Sequence, residues 1–253
     1  MDAYAVREGQ YPVNVDDYNA VLLSGSGNSV YDEEDWIINL GIYVQDIAAN
    51  HPLIKLFGIC FGHQLISHAV YGQPVVPNPK GWELGPFHVA LNAVGKVLFQ
   101  GTDSGDSLFM EEVHHDIAFS SGLSARLRDI PKSRNKGRTL QYKPLLWGHT
   151  NLTPDQGSVC GAQQVFQEIT AGDGSGRVTY EAADLYAKTR IYTSQSHPEV
   201  TKAMEDELIQ ECQDSGGVSV AEADLARARN STDEPLDSNQ MGTVIWRILL
   251  GQK

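Results

Sequence analysis

The sequence predicts an α/β protein whose mostly parallel sheet carries helices on both faces. Three observations predict it. Two short apolar runs, Ala20-Val21-Leu22-Leu23 and Ile54-Lys55-Leu56-Phe57, each lead into a glycine-bearing turn, as buried parallel strands do. Each turn is followed by a helical pattern: Trp36, Ile37, Leu40, Val44 and Ile47 after the first, and the amphipathic residues 64–71 after the second. Strand, helix, strand, helix in that order makes a parallel sheet, with its functional loops at the carboxyl ends of the strands.

The remaining elements follow in chain order. Asp32 is placed to cap the first helix. Phe87-His88-Val89-Ala90-Leu91 alternates as an antiparallel strand does. Residues 121–189 carry less pattern. They include a basic polar loop, Ser133-Arg134-Asn135-Lys136-Gly137-Arg138, and a flexible turn, Ala171-Gly172-Asp173-Gly174-Ser175-Gly176. That turn has no strand–loop–helix setting and is not read as a phosphate cradle. Residues 1–253 therefore read as one domain with an insertion within 121–189. Three helices follow, at 201–213, at 220–228 with Ser219 as cap, and at 241–250 ending at Gly251.

Composition excludes several classes of function. Lys+Arg 19 against Asp+Glu 32 gives a net charge of −13, which repels a phosphate backbone, so no nucleic acid is expected as a partner. No apolar run approaches a membrane span, and no secretory signal opens the chain. The three cysteines, Cys60, Cys160 and Cys212, form no disulfide framework and indicate a reducing compartment, so a cytoplasmic location is expected.

The most informative stretch is Gly58-Ile59-Cys60-Phe61-Gly62-His63-Gln64. It places a cysteine at the tip of a glycine-flanked strand-to-helix turn, where a helix N-terminus favours thiolate. A buried structural cysteine is the alternative, at about even odds for the turn alone. The downstream partner decides between them. A strand, Ile191-Tyr192-Thr193-Ser194-Gln195, runs into Ser196-His197-Pro198-Glu199. A nucleophilic thiol needs a base, and the base needs an orienting acceptor. His197 and Glu199 fill those roles. A papain-like arrangement fails for want of its C-G-[SA]-C-W element, and no C-x-x-C redox pair exists.

With Leu23-Ser24-Gly25-Ser26-Gly27-Asn28 as a glycine-rich loop and Lys80-Gly81-Trp82-Glu83-Leu84-Gly85 further on, these motifs resemble the class I, triad-type glutamine amidotransferases, and the last loop resembles their stand-alone branch, which includes γ-glutamyl peptidases. The resemblance covers residues 18–200. It implies a flavodoxin-like fold and a triad of Cys60, His197 and Glu199. Oxyanion donors would be the N–H groups of Phe61 and Ser26; Ser26 stands where the family more often has Gly, and serves if its φ is negative. Gly25, Gln64 and His114 would line the substrate site, the last as part of an H-x-D element, His114-His115-Asp116. Adjacent strand histidines point to opposite faces, so no metal is expected, and no cofactor. Glu83 is read as structural. The implied reaction is hydrolysis of a γ-glutamyl amide, in a small-molecule substrate, through a thioester. A glutaminase subunit feeding ammonia to a separate synthase partner is the alternative reading, and an inactive or regulatory member a third. Family members open with a strand and helix before the stretch matching Asp2-Ala3-Tyr4-Ala5-Val6, which would be a second strand. The first strand and helix are thus expected to be missing, leaving a gap lined by Val21 and Ile59.

Overall fold

A computed structural model of the chain describes residues 1–119, 143–161 and 182–251. Its main sheet has five strands in the order β1-β2-β10-β9-β7. β1 (Ala20–Leu23), β2 (Lys55–Ile59) and β10 (Ile191–Ser194) are parallel, and the sheet continues antiparallel through β9 (Gly157–Cys160) and β7 (Leu145–Leu146). β2 is paired on both sides, by β1 and by β10, so no gap opens at Ile59, which is buried. Asp2–Ala5 is irregular backbone leading into a 3-10 turn, Val6–Glu8, and not a strand. β1 takes an edge position, with Leu22 56% exposed.

α1 (Asp35–Asn50) buries Ile37, Leu40, Val44 and Ile47, the stripe read from the sequence. Asp32 does not cap it; the helix starts after Glu34, and the Asp32 carboxylate accepts from Ser29 N and Asn28 Nδ2 instead. The far end of α1 is closed by Arg190, just before β10. Its guanidinium donates to the carbonyls of Ile47, Ala48 and His51 at 2.8–2.9 Å and to Ile54 at 3.3 Å. These carbonyls lie at and just beyond the helix C-terminus, where helical partners run out, and the cation also meets the negative end of the helix dipole.

After α2 (Phe61–Ala69), β3 (Val75–Pro77) pairs with β6 (Asp116–Ala118). A separate three-stranded sheet joins β4 (Glu83–Leu91), β5 (Ser107–His114) and β8 (Gly148–His149), with α3 (Ala93–Leu98) between β4 and β5. β4 is thus antiparallel, as its alternation requires. Part of the segment expected to be an insertion belongs to the sheets: β7, β8 and β9 fall there, and Trp147 is fully buried among Phe99, Val159 and Tyr192. Ser133–Arg138 and Ala171–Gly176 lie outside the described residues. α4 (Ala182–Lys188) leads to β10.

Three helices complete the fold. α5 (Lys202–Asp214) is capped by Thr201, α6 (Val220–Asn230) by a full capping box of Ser219 and Glu222, and α7 (Ser238–Leu250) ends at Gly251 in the left-handed region. α5 and α6 pack on β4 and β5, while α7 joins the core around Trp147. No helix among the described residues is long and apolar enough to cross a membrane.

Replacing Arg190 with Met keeps the aliphatic stem but removes every donor. Charge-assisted bonds are worth about 1.5–3 kcal/mol each and are not additive. The variant is expected to lose at least about 2 kcal/mol in urea unfolding at unchanged m. A loss under about 0.5 kcal/mol would mean that water serves these carbonyls equally well.

Candidate active site

The site is assembled by three chain crossings at the carboxyl end of the parallel strands. β2 ends at Ile59, and Cys60 turns the chain directly into α2. Among the described residues, Cys60 is the non-glycine with positive φ, at 51° with ψ −108°. Such a conformation is costly for a residue with a side chain and is held only where its surroundings over-determine it. Here they do: Cys60 N donates to Ser194 O at 2.8 Å, and Gln64 N donates to Cys60 O at 3.0 Å. The flanking glycines serve close approach. A Cβ on Gly62 would lie 2.3 Å from Leu23 O, and one on Gly58 would lie 2.6 Å from the Gly62 carbonyl group.

β10 runs beside β2 with Ser194 opposite Ile59, so the segment after β10 emerges next to the cysteine. His197 N donates to Glu111 O at 2.9 Å, which fixes the segment on β5. The His197 ring is largely buried, and its Nδ1 is 2.7 Å from Glu199 Oε1. Burial opposes charge on this imidazole, but Cys60 and Glu199 outweigh it and hold its pKa well above the usual histidine value. Burial likewise opposes charge on Glu199, and the bond to His197 reverses the balance and holds its carboxyl below the usual range.

The third crossing is the loop after β1. A Cβ on Gly25 would sit 3.0 Å from His197 Cε1 and 3.7 Å from Cys60 Cβ, so the loop backbone lies against both residues. Ser26 does not have positive φ, which meets the condition set for it as a backbone donor. Its hydroxyl is engaged within the loop, accepting from Asn28 N at 3.2 Å. Phe61 opens α2, whose first N–H groups lack helical acceptors.

Two residues expected to line the substrate site are instead enclosed. Gln64 is buried, and its Nε2 donates to Asp116 O at 3.0 Å and to Gln195 Oε1 at 3.1 Å. His114 is 3% exposed, with its ring between Glu83 and Glu112. His115 points the other way and lies against the Trp82 ring, the alternation expected of strand neighbours. Asp116 holds the glycine-rich loop, accepting from Ser29 Oγ and Tyr31 OH. Neither Glu112 nor Ser196, whose hydroxyl donates to Glu112, was singled out in the sequence.

No family model matches the chain. It is 34% identical over 116 residues to a glutamine amidotransferase-like protein of Schizosaccharomyces pombe, covering 43% of this chain and 42% of that one. It is 32% identical over 130 residues to γ-glutamyl peptidase 2 of Arabidopsis thaliana, covering 50% of each. A Saccharomyces cerevisiae protein, named provisionally as a glutamine amidotransferase, is 25% identical over 98% of this chain and 80% of its own length. Its relatives are glutamine amidotransferase-like proteins and γ-glutamyl peptidases. The S. pombe and A. thaliana relatives are matched over about half of their own length or less. A glutamine amidotransferase of Thermotoga maritima superposes with a TM-score of 0.62 over 98% of this chain and 86% of that one, at 16% identity. One from Methylobacillus flagellatus gives 0.58, over 97% and 82%, at 15%. The fold is the class I glutamine amidotransferase fold.

The three thiols differ in setting. Burial pushes Cys160 up to about 11, and burial with nearby carboxylates pushes Cys212 up as well. Cys60 instead sits at a helix N-terminus, with the Gly25 backbone against both it and His197. Iodoacetamide is expected to modify Cys60 first, read by peptide mass spectrometry, and Gly25→Ala is expected to slow that modification by displacing His197. Equal labelling of all three cysteines would remove Cys60 as the candidate nucleophile.

Proposed function

We propose that the chain hydrolyses γ-glutamyl amide bonds in small-molecule substrates. The observation that carries this reading is the convergence on one point of Cys60 at its strained turn, His197 with Nδ1 on Glu199 at 2.7 Å, and the Gly25 backbone. The likeness to γ-glutamyl peptidases supports the choice of bond.

In this reading Cys60 Sγ attacks the γ-carbonyl carbon, and His197 takes the thiol proton. The tetrahedral oxyanion is met by the N–H groups of Phe61 and Ser26, each worth about 2.7–4 kcal/mol at such positions. Collapse breaks the C–N bond, His197 protonates the leaving amine, and a γ-glutamyl thioester remains. Water, deprotonated by His197, releases glutamate and restores the thiol. Glu199 holds the imidazole in the required tautomer and stabilises its charged form. Gly25 bears on specificity through the position of its backbone; Gln64 and His114 act from beneath the site.

Glutamate release from glutathione and from glutamine tests the reading, with Cys60→Ser as control. Faster turnover of glutathione is expected. Turnover of glutamine alone, rising when a synthase partner is added, would replace this reading with ammonia delivery. No turnover of either by well-folded protein would leave a regulatory role.

His197→Ala is expected to abolish turnover. Glu199→Gln is expected to cost less than the roughly 10⁴-fold seen for a buried triad carboxylate, because Glu199 is half exposed. Its effect also has a sign. Glu199 helps hold the His197 pKa above its ordinary value, so removing that charge lets the pKa fall. The alkaline limb of the kcat profile, where the imidazolium is lost, should move to lower pH. A uniform loss at every pH would show that Glu199 only supports the loop.

A further inference from the structure

Beneath the candidate site lies a cluster that the hydrolytic chemistry does not use. Glu112 and His114 are two apart on β5 and share a face, and Glu83 on β4 stands opposite His114 in the register. All three side chains are enclosed, with exposures of 0%, 1% and 0% for Glu112, His114 and Glu83. His114 Nδ1 lies 3.1 Å from Asp116 O, a carbonyl, so Nδ1 carries a proton and Nε2 faces the carboxylates. Nε2 is 3.0 Å from Glu83 Oε2 and 3.3 Å from Glu112 Oε2.

These contacts are close. Nε2 and Glu112 Oε2 are both buried without a hydrogen-bond partner. A cation held among the three atoms would take imidazole and carboxylate ligands at about 2.0–2.2 Å. The three ligand atoms fall within 4.8 Å of one another, as such a centre requires.

The surroundings match a metal centre in a second respect. Ligating histidines commonly donate their other N–H to a carbonyl, and ligating carboxylates are themselves hydrogen-bonded. Here Asp116 O accepts from His114, Thr150 Oγ1 and Gln156 Nε2 donate to Glu83, and Ser196 Oγ donates to Glu112. Gln156 Oε1 is also buried without a partner.

We propose that Glu83, Glu112 and His114 bind one divalent first-row ion, zinc or manganese, as a structural centre. One imidazole and carboxylate oxygens, without thiolate, suit these ions. Charge favours the assignment: two carboxylates with a neutral imidazole carry −2, a proton on Nε2 leaves −1, and a divalent ion brings the cluster to zero. Through Glu112 and Ser196 the ion would brace the segment that carries His197. The proposal stands whether or not Cys60 is a nucleophile.

The test uses the full chain, expressed with added zinc and manganese and dialysed against EDTA while folded. Because the site is enclosed, about one equivalent of metal per chain is expected to survive dialysis and to leave on unfolding in guanidinium. An anomalous-difference map at the metal edge should show a peak within bonding distance of Glu83, Glu112 and His114. Glu112→Gln, which can still accept from Ser196, should lower metal retention at least about tenfold. A metal-free folded wild type, a peak elsewhere, or equal retention in Glu112→Gln would overturn the proposal and leave His114 as an imidazolium between two carboxylates. The wild-type measurements decide the matter even if the variant fails to fold.

Discussion

The site depends on one close approach, that of Gly62 to the carbonyl of Leu23. No side chain fits between them, since a Cβ would stand 2.3 Å from that oxygen. The first turn of α2 is therefore pressed against the end of β1, and the loop leaving β1 has to pass over the helix N-terminus. That brings Gly25 against Cys60 and His197. Separating α2 from β1 would release both the positive-φ turn at Cys60 and the glycine-rich loop after β1. The conformational cost at Cys60, of order 1–3 kcal/mol for a residue held in a sparsely populated region, is met by packing that extends well beyond the site. α2 is buried along Phe61–Ser67 and wedged between strands on one side and α1 on the other.

A second feature is the amount of polar chemistry buried beneath this layer. His63 is fully enclosed, bonded to Thr193 Oγ1 at 2.9 Å, and burial lowers its pKa to about 3. Asp155 is likewise enclosed, and burial raises it to about 7. Gln195 and Ser196, the two residues before His197, are fully buried. Each such group is costly to desolvate and worth keeping only if it fixes a geometry. Here they form a polar floor under Cys60 and His197. An apolar floor would favour stability, but it would let the His197 segment slide; hydrogen bonds with defined partners set its height and rotation.

Much of this was legible in the sequence, and the pattern of failure is physical. The Cys60 turn and the His197–Glu199 contact could be read because their geometry is local: a glycine-flanked tip, and an imidazole with its acceptor two residues away. The stripe of α1 and the cap at Ser219 were legible for the same reason. Asp32 failed as a cap because Asn28 and Ser29 captured its carboxylate first. β9 was hidden because Gly157-Ser158-Val159-Cys160 is buried at every position, which erases the alternation that marks a half-exposed strand. The Glu83–Glu112–His114 cluster could not be read at all. It exists only through the β4–β5 register, which no one strand's sequence specifies.

That register links the two features. Glu83 pairs opposite His114, and Gly85 opposite Glu112, so one slip of a single residue would turn the cluster's side chains to the other face. The same slip would move Glu111, whose carbonyl accepts from His197 N, and Val113, whose carbonyl accepts from the Cys60 thiol at 3.8 Å. Alternate residues of β5 thus do separate work. The side chains of Glu112 and His114 are enclosed beneath the site, while the backbones of Glu111 and Val113 hold the His197 segment and the cysteine. A registered β4–β5 pair is therefore a condition for the site as strict as the turn at Cys60. The buried cluster of Glu83, Glu112 and His114 helps fix that register, because a slip would carry both carboxylates away from the hydroxyl and amide groups that donate to them, and an unpartnered buried carboxylate is costly.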